Sequence, residues 1–101
     1  GISITFLTLY EFYKGVYTSP KLKEDLKSLN KLLQKVSLLN LSSNSCDTSG
    51  KIYSELKKKG EIINDADVLI AGIVMANKKV FVTNNTKHFQ RIENLKIETW
   101  I

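Results

Sequence analysis

The sequence predicts an α/β fold in which helices cover a largely parallel sheet. Short β-prone runs alternate with segments of helical periodicity along the chain, which is the order that parallel strand–helix–strand units produce. One helical segment is apolar on most of its sides, as expected of a helix buried within such a fold. A length of 101 residues suits one compact core, so we expect a single domain over residues 1–101.

The N-terminal part is predicted to contain one strand and two helices. Residues 2–5 alternate in a short β-prone run, and residues 6–17 place apolar side chains at helical spacing. Ser19 is expected to cap a second helix with Pro20 in its first turn, because both residues favour these positions. A leucine stripe opposite four lysines then extends this helix to Val36.

The first predicted helix carries more aromatic side chains than one core face needs. Two interpretations remain open: a core face with some partly exposed tyrosines, or a surface for a partner or a second copy. The aromatic residues are Phe6, Tyr10, Phe12, Tyr13 and Tyr17.

The rest of the chain continues the alternation of strands and helices. Basic residues followed by glycine are typical of a helix C-terminus, and an Asn-Asp-Ala-Asp sequence is typical of a helix start. We predict a strand at 38–41, a loop at 42–45, a helix ending at 57–60, a helix opened by 64–67 and continuing to Ala76, a buried strand at 80–83, a loop with one helical turn at 84–90 and a strand at 97–100.

Charge and composition exclude some classes of protein and permit others. The net charge is +5, and lysine supplies most of the positive side chains. This charge is compatible with a polyanion such as RNA, and equally with solubility alone. No apolar run approaches the roughly 20 residues that span a bilayer, and no signal peptide is recognisable. The single Cys46 cannot form an internal disulfide, which suits a reducing compartment. Together with the lack of a membrane-spanning run, this leads us to expect a cytoplasmic protein without a membrane partner.

Several acidic and amide residues lie next to the ends of predicted strands or at the starts of predicted helices, where a site is expected. In parallel α/β sheets, ligands bind beyond the carboxyl ends of the strands. Glu11, Asp65 and Asp67, together with Asn84 and Asn85, are expected at that edge. Oxygen ligands of this kind suit Mg²⁺ or Mn²⁺, which can activate water and neutralise charge on a phosphodiester.

The same acids have a structural interpretation that needs no metal. Thr8-x-x-Glu11 and Asn64-x-x-Asp67 both match capping boxes, which satisfy free backbone N–H groups at a helix start. Other chemistries are less well supported, because His88 and Cys46 lack zinc-ligand spacing and neither a nucleophile motif nor a glycine-rich phosphate loop is present.

Five segments of the sequence together match a known family pattern. They read ISIT at 2–5, YEFYKG at 10–15, IINDADVLIAG at 62–72, VFVTNNTKHF at 80–89 and LKIETW at 95–100. These segments resemble the VapC toxins, which are PIN-domain endoribonucleases of toxin–antitoxin pairs. The C-terminal half carries the more specific part of the resemblance, and the N-terminal part is similar to the family's second strand and the helix that bears its glutamate.

The resemblance implies a three-layer α/β/α PIN-like domain and a Mg²⁺- or Mn²⁺-dependent ribonuclease. Glu11 and Asp67 match the family's metal-binding acids, and Asp65 is a nearby acid that would assist. Asn85 falls where the family has Asp or Asn and would orient water or phosphate. The residues that would shape the pocket for the substrate are Thr83 and Asn84.

The resemblance also implies partners and one departure from the family pattern. VapC-like proteins form homodimers and are neutralised by a cognate antitoxin, and we assign one of these contacts to the helix of Tyr10, Tyr13 and Tyr17. The family begins with a central strand that carries its first catalytic aspartate, and we expect that strand to be absent from this sequence. The alternatives are a non-catalytic or truncated PIN-like module that binds RNA or protein, and a nuclease directed at DNA.

Overall fold

The structure is a computed structural model, and it describes residues 2–82 and 86–98. The chain divides into two compact units, Gly1–Asn40 and Leu41–Ile101. The expectation of one domain over the whole chain stays a prediction. Among the described residues, no helix has the length and apolar character needed to cross a membrane.

The first unit contains two strands and two helices. They are β1 (Ile2–Thr5), α1 (Phe6–Tyr17), α2 (Leu22–Leu33) and β2 (Val36–Leu39). β1 and β2 pair in parallel with Ile2 opposite Val36 and Thr5 opposite Leu39. The predicted first strand and first helix are confirmed at the predicted boundaries.

Thr5 ends the first strand and caps the first helix. Its hydroxyl oxygen accepts a hydrogen bond from the backbone N–H of Thr8 at 3.2 Å, which satisfies one of the free donors at the helix start. Thr8 therefore lies inside α1, so the predicted capping box from Thr8 to Glu11 is wrong. Glu11 is free of any capping role.

Two predictions in the segment between α1 and β2 are wrong. Ser19 does not cap α2, because Lys21 occupies the cap position and the Ser19 hydroxyl bonds instead to the Asp25 carboxylate and the Lys21 N–H. The second strand runs over Val36–Leu39, two residues earlier than predicted. Val36 leaves the leucine stripe because its β-branched side chain also suits a strand, and pairing with β1 decides between the two.

Three helices and two short strands lie in the described part of the second unit. They are α3 (Ser43–Lys59), α4 (Asp65–Ala76), β3 (Phe81–Val82), α5 (Thr86–Phe89) and β4 (Ile97–Glu98). β3 and β4 pair in parallel, with Phe81 opposite Ile97. A buried apolar cluster forms the core of this unit from Ile52, Leu56, Ile63, Val68, Ala71, Phe89 and Ile92.

Capping interactions determine both ends of α3, but only the glycine end is predicted correctly from the sequence. Ser42 and Ser45 form a reciprocal capping box, so the predicted loop at 42–45 is wrong. The sequence pattern there is polar and resembles a loop, although the same serines satisfy the helix start. Gly60 ends the helix in the left-handed region at φ 70°, as predicted from the basic residues before it.

α3 and α4 approach each other closely at Gly72. A Cβ atom on Gly72 would lie 1.8 Å from the Ser49 hydroxyl oxygen and 2.8 Å from the Ser45 carbonyl oxygen. The buried Ser49 hydroxyl donates a hydrogen bond to the Val68 carbonyl of α4 at 3.1 Å. The predicted mostly buried helix over 65–76 is confirmed, and the absence of a side chain at Gly72 allows this packing.

The short strand β3 is only half buried. Phe81 points inward and packs edge-to-face on Phe89 with ring centroids 4.6 Å apart, whereas Val82 is exposed. Successive side chains of a strand point to opposite faces, so the predicted fully buried strand is wrong for Val80 and Val82. The predicted helical turn within 84–90 is confirmed as α5. Thr83, like the end of the last predicted strand, lies outside the described residues.

Candidate functional site

Asp67 lies in the first turn of α4 and is held by the cap residue of that helix. The Asn64 side-chain oxygen accepts a hydrogen bond from the Asp67 backbone N–H at 2.9 Å, which is the capping contact. The amide Nδ2 of Asn64 donates to Asp67 Oδ2 at 3.0 Å. The predicted cap at Asn64 is confirmed, and it uses the backbone of Asp67 and not its carboxylate.

His88 of α5 approaches the same carboxylate oxygen. Its ring nitrogen Nδ1 lies 3.6 Å from Asp67 Oδ2, which is close for an ion pair but just beyond hydrogen-bond length. Nδ1 is shielded from solvent and has no hydrogen-bond partner within the described part of the chain. The Asp67 side chain is itself only 18% exposed, so Oδ2 faces two polar groups in a sheltered position.

Asp65 lies on a different side of the same helix. Two residues along an α-helix turn the side-chain direction by about 200°, so Asp65 and Asp67 diverge. Asp65 lines a cavity of about 260 Å³ together with Cys46, Ser49 and Tyr53 of α3, whereas Asp67 faces α5. The role of Asp65 beside Asp67 therefore stays a prediction, and this geometry favours Asp67.

Glu11 belongs to the first unit, on the outer part of α1. Its carboxylate pairs with Lys14 at 3.0 Å, and its side chain is 58% exposed. The hydrogen bond and charge of Glu11 raise the pKa of Lys14 above its usual range. Glu11 also lines a groove of about 400 Å³ between α1 and α2, with Phe12 and Leu29 among the apolar residues there. The Glu11 side chain is accessible, and the expectation that Glu11 and Asp67 bind the same metal ion stays a prediction.

The other predicted site residues, Thr83, Asn84 and Asn85, lie outside the described residues. Within residues 2–82 and 86–98, no group of three or more His, Cys, Asp or Glu side chains is close enough to hold a metal ion. The predicted set of Glu11, Asp65 and Asp67 as metal ligands therefore remains a prediction.

The chemistry around Asp67 fits one ligand of a hard cation. Mg²⁺ is usually held by one or two carboxylates, with waters and substrate phosphates completing its shell. Asp67 engages Oδ2 with Asn64, and no hydrogen bond to Oδ1 is found in the described part of the chain. Oδ1 is therefore the oxygen of Asp67 that would serve as a ligand of a cation.

The sequence patterns around His88 and Asn64 predict neither the contact of His88 with Asp67 nor the full role of Asn64. Asn64 is predicted as a cap, but the second use of its amide group depends on the orientation of Asp67. His88 is distant from Asp67 in sequence, and no local spacing connects them. Only the packing of α5 near the start of α4 brings the imidazole to the carboxylate.

Comparisons with known proteins identify relatives over almost the whole chain. The chain is 35% identical to "Ribonuclease VapC2" of Rickettsia felis, over 98% of this chain and 74% of the relative. It is 31% identical to "Ribonuclease VapC1" of Haemophilus influenzae strain R2866, over 96% of this chain and 72% of the relative. No protein-family model matches the sequence.

A solved structure agrees with these relatives. The crystal structure of VapBC2 from Rickettsia felis bound to a promoter DNA fragment contains a chain that is similar with a TM-score of 0.91 and 35% identity. The match covers 99% of this chain and 75% of that one. This likeness confirms the predicted α/β fold of PIN type. The chain belongs to the VapC family of PIN-domain ribonucleases.

Proposed function

We propose that this protein hydrolyses RNA phosphodiester bonds with the help of Mg²⁺ or Mn²⁺ bound at Asp67. The observation that carries the proposal is the sheltered Asp67 carboxylate, which Asn64 holds by one oxygen at 3.0 Å and which leaves the other oxygen available. The relative at 35% identity is named a ribonuclease, which supports RNA as the substrate in preference to DNA.

The proposed role of each residue follows from its chemistry. When bound, the cation activates water and offsets the negative charge that builds on the phosphodiester. Asp67 and Glu11 would hold it directly or through water, and Asp65 would assist. Asn85 would orient water or a phosphate oxygen. Thr83 and Asn84 would shape the substrate pocket, as their places in the family pattern imply.

Removal of divalent metal tests the proposal directly. We expect a chelator to abolish RNA cleavage by the complete gene product, and added Mg²⁺ or Mn²⁺ to restore it, because water activation and charge neutralisation both need the cation. The measurement is the initial rate on a labelled RNA across a metal titration. Cleavage that continues unchanged in the chelator would contradict metal dependence. A complete product that binds RNA but takes up no Mn²⁺ at millimolar levels would favour the non-catalytic module.

A lysine row on α2 supports an RNA partner. Lys23, Lys27 and Lys31 are exposed and spaced four residues apart, so they share one face of the helix. Within residues 2–82 and 86–98, none of the three forms an ion pair, whereas Lys14, Lys51 and Lys59 do. Like charges at this spacing destabilise a helix by a few tenths of a kcal/mol, and phosphates would relieve that repulsion.

We expect the double variant Lys27→Gln, Lys31→Gln to weaken RNA binding and flatten its salt dependence. Each lysine that neutralises a phosphate contributes about 0.7 to the log–log salt slope for single strands, so the slope should fall by roughly 1 to 1.5. The measurement is Kd for a labelled RNA at several salt concentrations, using a cleavage-deficient background.

The matched control removes the same charge from another surface. Lys57 and Lys58 are exposed at the end of α3, where basic residues complement the helix dipole and need no RNA to explain them. The variant Lys57→Gln, Lys58→Gln should change the slope little. Equal effects from both double variants would show that the α2 row has no special part in binding.

A protein partner also belongs to the proposal. We propose a cognate antitoxin that neutralises the enzyme, and a homodimer, as the resemblance to VapC toxins implies. The solved VapBC2 structure supports the antitoxin partner. Tyr10 and Tyr17 are 58% and 64% exposed, and Tyr13 stacks on Tyr17 with ring centroids 6.3 Å apart. Exposed aromatic rings of this kind suit a protein interface, so we assign one of these contacts to that surface.

A further inference from the structure

We propose that Asn64 and His88 together hold the Asp67 carboxylate by the same oxygen, Oδ2, and so present Oδ1 to the cation. Neither residue is assumed to touch the metal or the RNA. Both are positioning residues, and this inference rests on the proposed metal-binding function of Asp67.

The contact with Asn64 is more than a helix cap. Capping is complete once the Asn64 oxygen accepts from the Asp67 backbone N–H at 2.9 Å. The second contact, from Asn64 Nδ2 to Asp67 Oδ2 at 3.0 Å, satisfies no further backbone N–H group of the helix. Its physical effect is to fix the rotation of the Asp67 carboxylate about its last side-chain bond.

The position of His88 points to the same oxygen. Nδ1 is shielded from solvent and lies 3.6 Å from Oδ2, while the rest of the ring keeps the side chain 40% exposed. A movement of about half an ångström would bring Nδ1 and Oδ2 to hydrogen-bond length. An N–H donor on Nδ1 is the arrangement that satisfies both buried groups, because a carboxylate oxygen only accepts.

Holding a carboxylate by one oxygen matters for metal binding. Side chains that orient a metal ligand typically change metal affinity by about 10- to 100-fold when they are removed. With Oδ2 engaged twice, Oδ1 needs no reorganisation when a cation arrives. The Asp67 carboxylate is therefore already ordered when α4 and α5 have folded, before the metal binds.

The decisive experiment is a Mn²⁺ titration of metal-free complete protein, without RNA. We expect His88→Ala to raise the Kd for Mn²⁺ by about 10- to 100-fold. We expect His88→Asn to stay within about threefold of the parent, because the asparagine Nδ2 donor lies close to the place of the imidazole Nδ1. Asn64→Ser should weaken Mn²⁺ binding like His88→Ala while keeping the cap, since serine caps helices as well as asparagine.

A spectroscopic signature separates positioning from mere packing. His88 is the only histidine of the sequence, so its ring signals can be read without assignment. We expect long-range ¹H–¹⁵N spectra of the neutral ring to show the proton on Nδ1. A proton on Nε2 instead would overturn the inference, because Nδ1 could then donate nothing to Asp67.

The outcomes distinguish this inference from the proposed function. If the parent binds Mn²⁺, Asp67→Asn does not, and His88→Ala and Asn64→Ser bind as tightly as the parent, the metal site stands and the positioning role fails. If His88→Asn loses as much affinity as His88→Ala, the donor role of the ring also fails. If the parent binds no Mn²⁺ at all, both the metal site and the positioning role are refuted.

Discussion

Replacement of Asp67 by asparagine is expected to lower the rate of RNA cleavage by about 10²- to 10³-fold. The amide keeps the shape of the side chain but removes the negative charge that a divalent cation requires. Loss of several kcal/mol of metal-dependent stabilisation corresponds to a rate loss of this size. The measurement is kcat/KM on a defined RNA with the complete gene product at saturating Mg²⁺ or Mn²⁺.

The fold should survive this substitution. The cap at the start of α4 uses the Asn64 oxygen and the backbone N–H of Asp67, so it does not depend on the Asp67 carboxylate. The favourable interaction of an acid with the helix dipole is lost, which is worth about 0.3–1 kcal/mol, while the new asparagine oxygen can still accept the hydrogen bond from Asn64 Nδ2. Circular dichroism and the midpoint of denaturant unfolding should therefore stay close to those of the parent.

Two further substitutions test whether the loss of cleavage is specific to Asp67. Asp47→Asn removes an exposed acid that pairs with Lys51 on α3, so cleavage should be unchanged. Asp65→Asn removes the same charge from the same helix turn as Asp67, and we expect a loss below about tenfold because Asp65 faces α3. Parent-like cleavage by Asp67→Asn would refute the assignment. An equal loss for Asp65→Asn would show that both acids serve the metal.

Replacement of Gly72 by alanine is expected to destabilise the protein by about 1–3 kcal/mol, the usual cost of overpacking a tight interior. The new Cβ would meet the Ser45 backbone carbonyl at 2.8 Å, and a backbone atom cannot rotate away. It would also displace the Ser49 hydroxyl from the Val68 carbonyl. The measurement is the free energy of unfolding from urea denaturation.

Gly50→Ala is the matched control for this prediction. Gly50 lies in the exposed face of α3, and a Cβ there would have no heavy atom within 4 Å. Alanine should therefore stabilise the helix by about 0.5–1 kcal/mol, because glycine loses more conformational entropy on folding. If Gly72→Ala stabilises as Gly50→Ala does, the close packing of α3 on α4 is not the reason for glycine at that position.

The predictions that succeeded depended on signals confined to a few neighbouring residues. The first strand and helix, the glycine end of α3 and the Asn64 cap all follow from side chains that act on their own backbone. The predictions that failed involved residues with two local solutions. The serines at 42–45 suit a loop or a capping box, and Val36 suits the end of a helix or a strand paired with β1.

What the sequence determined by itself is the family, the α/β class and the candidate acid Asp67, because these depend on residue types in a fixed order along the chain. Only the tertiary structure decided how that acid is used. Helical geometry turns Asp65 away from Asp67, and the packing of α5 brings His88 to its carboxylate. Side-chain direction and contacts between distant segments depend on packing, which no local pattern in the sequence encodes.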